Sequence, residues 1–183
     1  MDKTQELTAE YVVNNYKEEE LAKIIYEYGE EKFSRKIAKN ICEYRKLEPI
    51  DTTGKLVSII EKSVPRFGKN QGHPAKRTFQ AIRIEVNNEI RPLYNTVVDA
   101  IECLKSKGRL CIITFHSLED RAVKNAFINS EGVCTCPPDL PYCVCNKQEK
   151  GKIITKKPIL PTEEEMNINS RSKSAKLRVF EKI

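Results

Sequence analysis

Four cysteines lie close together in the segment CTCPPDLPYCVC, as two C-x-C pairs around a proline-rich turn. They are Cys134, Cys136, Cys143 and Cys145. Thiolates so near in sequence can form a tetrahedral site, and zinc is the first metal to consider there. Because the spacing is tighter than the usual C-x-x-C, four reduced thiols in a loop are the alternative. We expect Cys42, Cys103 and Cys111, which fall in helical or strand patterns, to be small core residues.

A second group of polar residues follows Pro74, which suits the first turn of a helix. The group recurs at i, i+4, i+7 and i+11, with one further arginine beside it: Lys76, Gln80, Arg83, Asn87 and Arg77. The basic side chains can neutralise phosphates, and the amides can reach base edges or donor groups. The alternative is an ordinary solvent-exposed face.

Titratable residues also follow the apolar run Arg109 to Phe115, which fits a strand buried on both faces of a mainly parallel sheet. His116 and Ser117 then lie in a strand-to-helix turn, where ligands bind in open α/β sheets. A histidine that only satisfies local backbone groups is the alternative. Ser117 and Asp120 have capping-box spacing, which predicts that a helix begins directly after the strand.

The tail SRSKSAKLR mixes hydroxyl and basic residues before a last predicted strand. Arg171 and Lys173 are candidates for phosphate contacts, with a solvated linker as the alternative.

The elements that would position these residues divide the chain into two parts. Residues 1–65 read as short amphipathic helices, with Gly29 as a C-terminal stop. The glycine-containing basic segment PRFGKNQG marks a boundary, and residues 66–183 alternate between helices and strands, with the cysteine-rich loop at 134–145. Ile153 to Thr155 and the segment AKLRVFEKI predict two further strands.

The bulk composition is that of a soluble globular protein. The chain has 183 residues, 39% of them hydrophobic, and a net charge of +6 that favours a polyanion if the cations cluster. We identify neither a signal peptide nor a membrane-spanning stretch, which predicts a cytoplasmic location and reduced cysteines.

Three segments carry a family resemblance: GHPAKRTFQAIRIEVNNEI, GRLCIITFHSLEDRAVKNAF and NSRSKSAKLRVFEKI. They closely resemble the RsmH (MraW) methyltransferases, and YGEEKFSRKIAKNI resembles the inserted helical domain of that family. The resemblance implies an α/β fold: the C-terminal part of a Rossmann-like methyltransferase sheet with an antiparallel last strand, plus an all-α inserted domain. It implies S-adenosylmethionine-dependent methylation of a cytidine N4 in small-subunit ribosomal RNA. His116 and Ser117 would then be catalytic, and the basic residues above would contact RNA.

The resemblance also predicts that the methyl-donor-binding half of the family's enzyme is missing from this sequence. Met1 and Asp2 resemble an internal Met-Asp pair of the family, so the S-adenosylmethionine site is expected upstream of them and no cofactor-binding residue is assigned here. The chain alone is expected not to methylate, and to self-associate or bind a separate chain that carries the donor half. Three explanations are consistent with this expectation. The sequence is a fragment, its gene start was placed at an internal methionine, or the enzyme is split between two chains. The alternative function is a non-catalytic ribosomal-RNA-binding module with a structural zinc loop.

Overall fold

A computed structural model of the chain describes residues 6–65, 73–132, 136, 142 and 148–183. The chain divides into two compact units, Met1–Glu89 and Ile90–Ile183, which are described separately below. Among the described residues no helix is long and apolar enough to cross a membrane.

The first unit consists of helices packed around one apolar core. In chain order they are α1 (Ala9–Asn15), α2 (Glu18–Glu27), α3 (Ser34–Tyr44), α4 (Thr53–Ser63) and α5 (Lys76–Asn87). Each buries a stripe at helical spacing, such as Leu21, Ile24 and Ile25 of α2 and Ile37 and Ile41 of α3. The predicted amphipathic helices of this region are therefore confirmed.

Gly29 lies just after α2 and is required there by a close approach of two backbones. A Cβ atom at this position would lie 2.6 Å from the carbonyl oxygen of Ile25 and 2.7 Å from that of Arg77. In the turn after α2, the left-handed backbone conformation is adopted by the next residue, Glu30, with φ 50°. The glycine at the end of α2 thus allows α2 and α5 to pack closely, and it does not supply a positive φ.

The two units divide after Glu89, whereas the sequence predicts a boundary at Pro65. The reason is the packing of α5, because Ala75, Ile82 and Val86 belong to the same core cluster as α1 to α4. Tyr16 Oη also donates a hydrogen bond to Glu85 Oε1 at 2.9 Å.

The second unit packs helices on one face of a small antiparallel sheet. Its elements are α6 (Leu93–Cys103), β1 (Arg109–Thr114), α7 (Ser117–Ser130), β2 (Gly151–Ile153), α8 (Glu163–Ile168), a 3₁₀ helix (Ser170–Ser174) and β3 (Lys176–Lys182). The strand order is β1-β3-β2, so the last strand of the chain is central. In register, Arg109 faces Glu181, and Thr114 faces Lys176. The predicted antiparallel last strand is confirmed, and the strand predicted at Ile153 to Thr155 instead spans Gly151–Ile153.

Strand β1 is buried on one face only. Leu110 and Ile112 pack against the cluster formed by Val97, Ile101 and Phe127, whereas Cys111 and Ile113 on the other face are exposed. All pairings among the described strands are antiparallel, and β1 lies at the edge of the sheet they form. Within the described residues, the prediction of a strand buried on both faces of a mainly parallel sheet is therefore wrong. Cys111 and Cys103 are exposed, so of the three expected core cysteines only Cys42 is buried.

The exposed face and edge of β1 predict self-association of a polypeptide limited to these 183 residues. An apolar edge strand with unpaired backbone groups is a template for pairing. We expect Ile113→Lys to shift the protein toward monomer in analytical ultracentrifugation, because a lysine there opposes edge-to-edge contact. Ile168→Lys is the matched control, since Ile168 is 81% exposed in α8. Equal effects of the two substitutions would exclude β1 as the associating surface.

Candidate functional site

The turn between β1 and α7 is closed by a capping box one residue earlier than the sequence predicts. His116 is the N-cap residue, and its Nδ1 accepts a hydrogen bond from the Glu119 N–H at 3.4 Å. The Glu119 carboxylate accepts from the N–H groups of Phe115 at 2.8 Å and His116 at 3.2 Å. His116 and Glu119, rather than Ser117 and Asp120, therefore begin the helix.

The cap determines which chemistry His116 can perform. Because Nδ1 accepts the capping hydrogen bond, the proton of the neutral imidazole resides on Nε2. That atom lies 3.3 Å from Glu119 Oε1, and it is buried without a hydrogen bond of good geometry among the described residues. The Nε2–H of His116 therefore faces the Glu119 carboxylate in this conformation, and the capping nitrogen is not available as a base.

Glu119 carries the negative charge of the turn. Burial favours the neutral form of its carboxyl group, but the facing imidazole of His116 and the N–H groups of Phe115 and His116 outweigh this effect. The pKa of Glu119 therefore lies below its usual range. The ionised carboxylate is also placed in the first turn of α7, where the helix dipole favours it.

Ser117 is the first residue of α7 and is partly exposed beside His116. The two predicted catalytic residues therefore lie together at the carboxyl end of β1, as the sequence predicts. Their catalytic roles stay predictions.

A buried ion pair that sequence reasoning missed fixes the same turn of α7. Arg178 of β3 contacts the Asp120 carboxylate twice, with Nε at 2.6 Å from Oδ1 and Nη2 at 3.1 Å from Oδ2. Lys176 Nζ lies 3.6 Å from Oδ2. The hydrogen bond from Arg178 holds the pKa of Asp120 below its usual range. The available signal was strand alternation, which places Arg178 on the same inward face as Phe180.

On α5, the predicted RNA-contact residues are mostly engaged within the first unit. Arg83 contacts Glu89 through Nε and Nη2, each at 3.0 Å, and Asn87 Nδ2 donates to the same carboxylate at 2.8 Å. Gln80 donates to the Tyr28 carbonyl at 3.1 Å and Arg77 to the Glu30 carbonyl at 3.2 Å. Lys76 is exposed at the start of the helix. The structure brings these residues onto one helix and also shows that Glu89 neutralises Arg83.

The remaining predicted site residues fall into two groups. Arg171 and Lys173 are exposed in the 3₁₀ helix before β3. Cys134, Cys143 and Cys145 lie outside the described residues, so the predicted zinc site stays a prediction. Cys136 is described and is half-buried.

Together, the five-helix first unit and the sheet-containing second unit define a mixed α/β protein whose second unit has a polar strand-to-helix turn. The chain matches the MraW methylase family over residues 1–183 and belongs to that family.

Curated relatives resemble the chain along its whole length. A protein of Clostridium botulinum (strain 657 / Type Ba4) is 60% identical over 183 residues, one of Lachnospira eligens 57% over 184, and one of Clostridioides difficile 56% over 184. Each is named ribosomal RNA small subunit methyltransferase H. The alignments cover 100% of this chain but 59%, 58% and 59% of the relatives. The chain thus spans about three-fifths of the length of the curated relatives it matches.

The ion pair predicts a large loss of stability when only the carboxylate is removed. Asp120→Ala leaves the Arg178 guanidinium, with 7% of its side chain exposed, without its partner. We expect the free energy of unfolding in urea to fall by about 3 kcal/mol. Glu164→Ala, in the exposed first turn of α8, is the control and should change it by less than about 0.5 kcal/mol. A similar small change for Asp120→Ala would show that the pair contributes little.

The same pair predicts a pH dependence. Because folding lowers the pKa of Asp120, its carboxylate stabilises the fold fully above the unfolded value, about pH 4. That contribution disappears as the pH falls through the lower folded pKa. Asp120→Asn should therefore be less stable than the wild type at neutral pH but lose less stability on acidification below pH ~4. Thermal melts measure the stability of both proteins at each pH. If the stabilities of the wild type and of Asp120→Asn fell in parallel on acidification, this assignment would be contradicted.

The cap predicts different effects for two substitutions of His116. His116→Ala removes the N-cap acceptor and should lower the free energy of unfolding by about 1 kcal/mol. His116→Asn retains a short side-chain acceptor and should keep most of that stability. Urea unfolding followed by circular dichroism measures both, and equal losses would show that the imidazole stabilises the turn by packing rather than by capping.

Proposed function

We propose that this chain is part of an enzyme that methylates N4 of a cytidine in small-subunit ribosomal RNA. The supporting observation is the family membership of the whole chain, together with relatives that are named as ribosomal RNA small subunit methyltransferases. The N–H donor of His116, at the carboxyl end of β1, gives this assignment a chemical basis in the residues themselves.

The β1–α7 turn supplies no site for the methyl donor. The N–H groups of Phe115 and His116 in this turn already donate to Glu119, so they are not available to hold a donor carboxylate. No glycine lies in this turn, whereas a glycine-rich turn is the usual means of bringing backbone close to a nucleotide. We therefore propose that the S-adenosylmethionine site lies outside the described residues.

In the proposed reaction, S-adenosylmethionine supplies the methyl group. The cytidine N4 would exchange one of its N–H bonds for the new N–C bond and release that proton to solvent. N4 is a weak nucleophile because its lone pair is delocalised into the ring, so orientation of the base contributes to the rate. We assign His116 Nε2–H, once it leaves its buried position beside Glu119, to donate to an oxygen of the flipped-out base or of a phosphate. We assign the Ser117 hydroxyl to accept from N4–H.

RNA contacts are assigned to the exposed cations of both units. These are Lys76, Arg77 and Arg83 on α5, with the Gln80 and Asn87 amides beside them, and Arg171 and Lys173 in the 3₁₀ helix. Because Glu89 already pairs with Arg83, Arg83 must exchange partners to contact a phosphate. Lys76 is therefore the cation on α5 that is best placed for phosphate neutralisation.

A structural zinc on Cys134, Cys136, Cys143 and Cys145 is also proposed, with a role in stabilising the fold and none in catalysis.

A reconstitution experiment tests this function. The chain is incubated with small-subunit ribosomal RNA and S-adenosylmethionine, alone and with the part of the Clostridium botulinum relative that it does not cover. We expect N4-methylcytidine by mass spectrometry only in the combined sample, because a partial site does not align donor and acceptor. His116→Asn, which retains the cap, should lower the rate at least ~10-fold, because the hydrogen bond that orients the base is lost.

Two outcomes would contradict the proposal. RNA binding without methylation in the combined sample would favour a non-catalytic binding module. Full activity of His116→Asn would restrict His116 to its capping role.

A further inference from the structure

The first unit carries a surface groove between α2 and the beginning of α3, named here the α2–α3 groove. Its volume is about 810 Å³, within the range of pockets that hold nucleotide-sized ligands. Six of its lining residues combine positive charge with aromatic surface: Lys23, Tyr26, Lys32, Phe33, Arg35 and Lys36. Both sides of the groove belong to the same unit, so its shape is set by the packing of two neighbouring helices.

The groove carries more positive than negative charge, since four cations line it against the two carboxylates of Glu18 and Glu19. Among the described residues no carboxylate lies within ion-pair distance of Lys32, Arg35 or Lys36. Other cations of α3 are used internally. Lys39 lies 3.8 Å from Glu43, and Arg45 donates to the backbone carbonyls of Val13 and Tyr16. The free positive charge of α3 is therefore concentrated at its first turn.

The N-terminus of α3 is closed by Glu31, since its N-cap residue Phe33 has no capping side chain. The Glu31 carboxylate accepts a hydrogen bond from the Phe33 N–H at 3.0 Å, and its carbonyl accepts from the Ser34 N–H at 3.3 Å. The positive charge at this end of the groove therefore comes from the exposed side chains of Arg35 and Lys36 in the first turn of α3.

Aromatic surface faces the same groove. Tyr26 is 63% exposed although it stands on a well-packed helix, and Phe33 is only partly buried against the core. Exposed aromatic rings beside unpaired cations are the combination by which proteins hold single-stranded nucleic acid, since bases stack on the rings while cations follow the phosphates. An acidic peptide would need the cations but would have no use for the exposed ring.

The acidic residues of the groove limit where phosphates can lie. Glu18 and Glu19 line it at the N-terminal end of α2, and they would repel an RNA backbone. The phosphate path therefore follows the side of α3, with Tyr26 of α2 facing it.

We propose that the α2–α3 groove binds a single-stranded segment of the RNA substrate, with a base stacked on Tyr26 and phosphates on Lys32, Arg35 and Lys36. This assignment rests on the proposed function, which makes ribosomal RNA the substrate. It adds an RNA contact surface on the helical unit that is separate from the residues of α5 and from the β1–α7 turn.

The role of the groove cations is tested by measuring how the 183-residue chain binds a fluorescent oligocytidylate of about twelve nucleotides. Arg35→Ala combined with Lys36→Ala should weaken binding at least ~10-fold and reduce the slope of log K against log[salt] by about 1.4, because two phosphate contacts are lost. Lys46→Ala combined with Lys62→Ala removes the same charge from exposed positions outside the groove, and should leave the slope nearly unchanged. Glu18→Gln combined with Glu19→Gln should strengthen binding.

Stacking is tested with a tryptophan, because the chain contains none. Tyr26→Trp should show fluorescence quenching when the oligonucleotide is added. Tyr11→Trp is the matched control, since Tyr11 is 51% exposed in the same unit but outside the groove, and it should show none. Tyr26→Ala should weaken binding about 10-fold.

The outcomes separate this inference from the proposed function. RNA binding that the groove variants leave unchanged, or equal affinity for a duplex of the same length, would overturn the groove and leave the methyltransferase assignment standing. Quenching and weakened binding as expected, but no methylated cytidine in the reconstituted sample, would retain the groove and overturn the methyltransferase assignment. No binding of any RNA would overturn both.

Discussion

The contact between Arg178 and Asp120 organises the second unit. It joins the central strand β3 to the first turn of α7 through two hydrogen bonds, and little of either side chain is exposed. A buried guanidinium is tolerated only with a partner, so this pair fixes the position of α7 relative to the sheet. The position of α7 in turn determines where His116 and Ser117 lie. A residue near the end of the chain therefore positions a turn about sixty residues earlier in the sequence.

The sheet depends on β3 in a second way. β3 lies between β1 and β2, and its Phe180 packs on Phe127 of α7 with ring centroids 5.2 Å apart. Gly151 of β2 approaches this strand so closely that a Cβ there would lie 2.5 Å from the Phe180 ring. One strand thus supplies the central backbone hydrogen bonds, one of the two fully buried phenylalanines and the buried cation. Its other face, with Leu177 and Val179, is only half-buried.

Two helices of the first unit, α3 and α5, use their positive charge differently. On α5, Arg83 pairs with Glu89 and Arg77 donates to a backbone carbonyl, so these cations stabilise the fold of the first unit. At the start of α3, Arg35 and Lys36 are exposed and have no such partners among the described residues. Net charge alone does not distinguish these two faces. The difference arises from which carboxylates and carbonyls each packed helix brings near.

The sequence by itself determined the helices, the last antiparallel strand and the family. Apolar periodicity is local, so Leu21, Ile24 and Ile25 or Val123 and Phe127 reveal their buried faces without a structure. The sequence also placed His116 and Ser117 directly after β1. The capping residue, the one-sided burial of β1 and the division after Glu89 were decided by tertiary structure. The Arg178–Asp120 pair has the same origin, because its partners are 58 residues apart and meet only when β3 enters the sheet. Local pattern carries no information about such contacts, since they depend on which elements pack together.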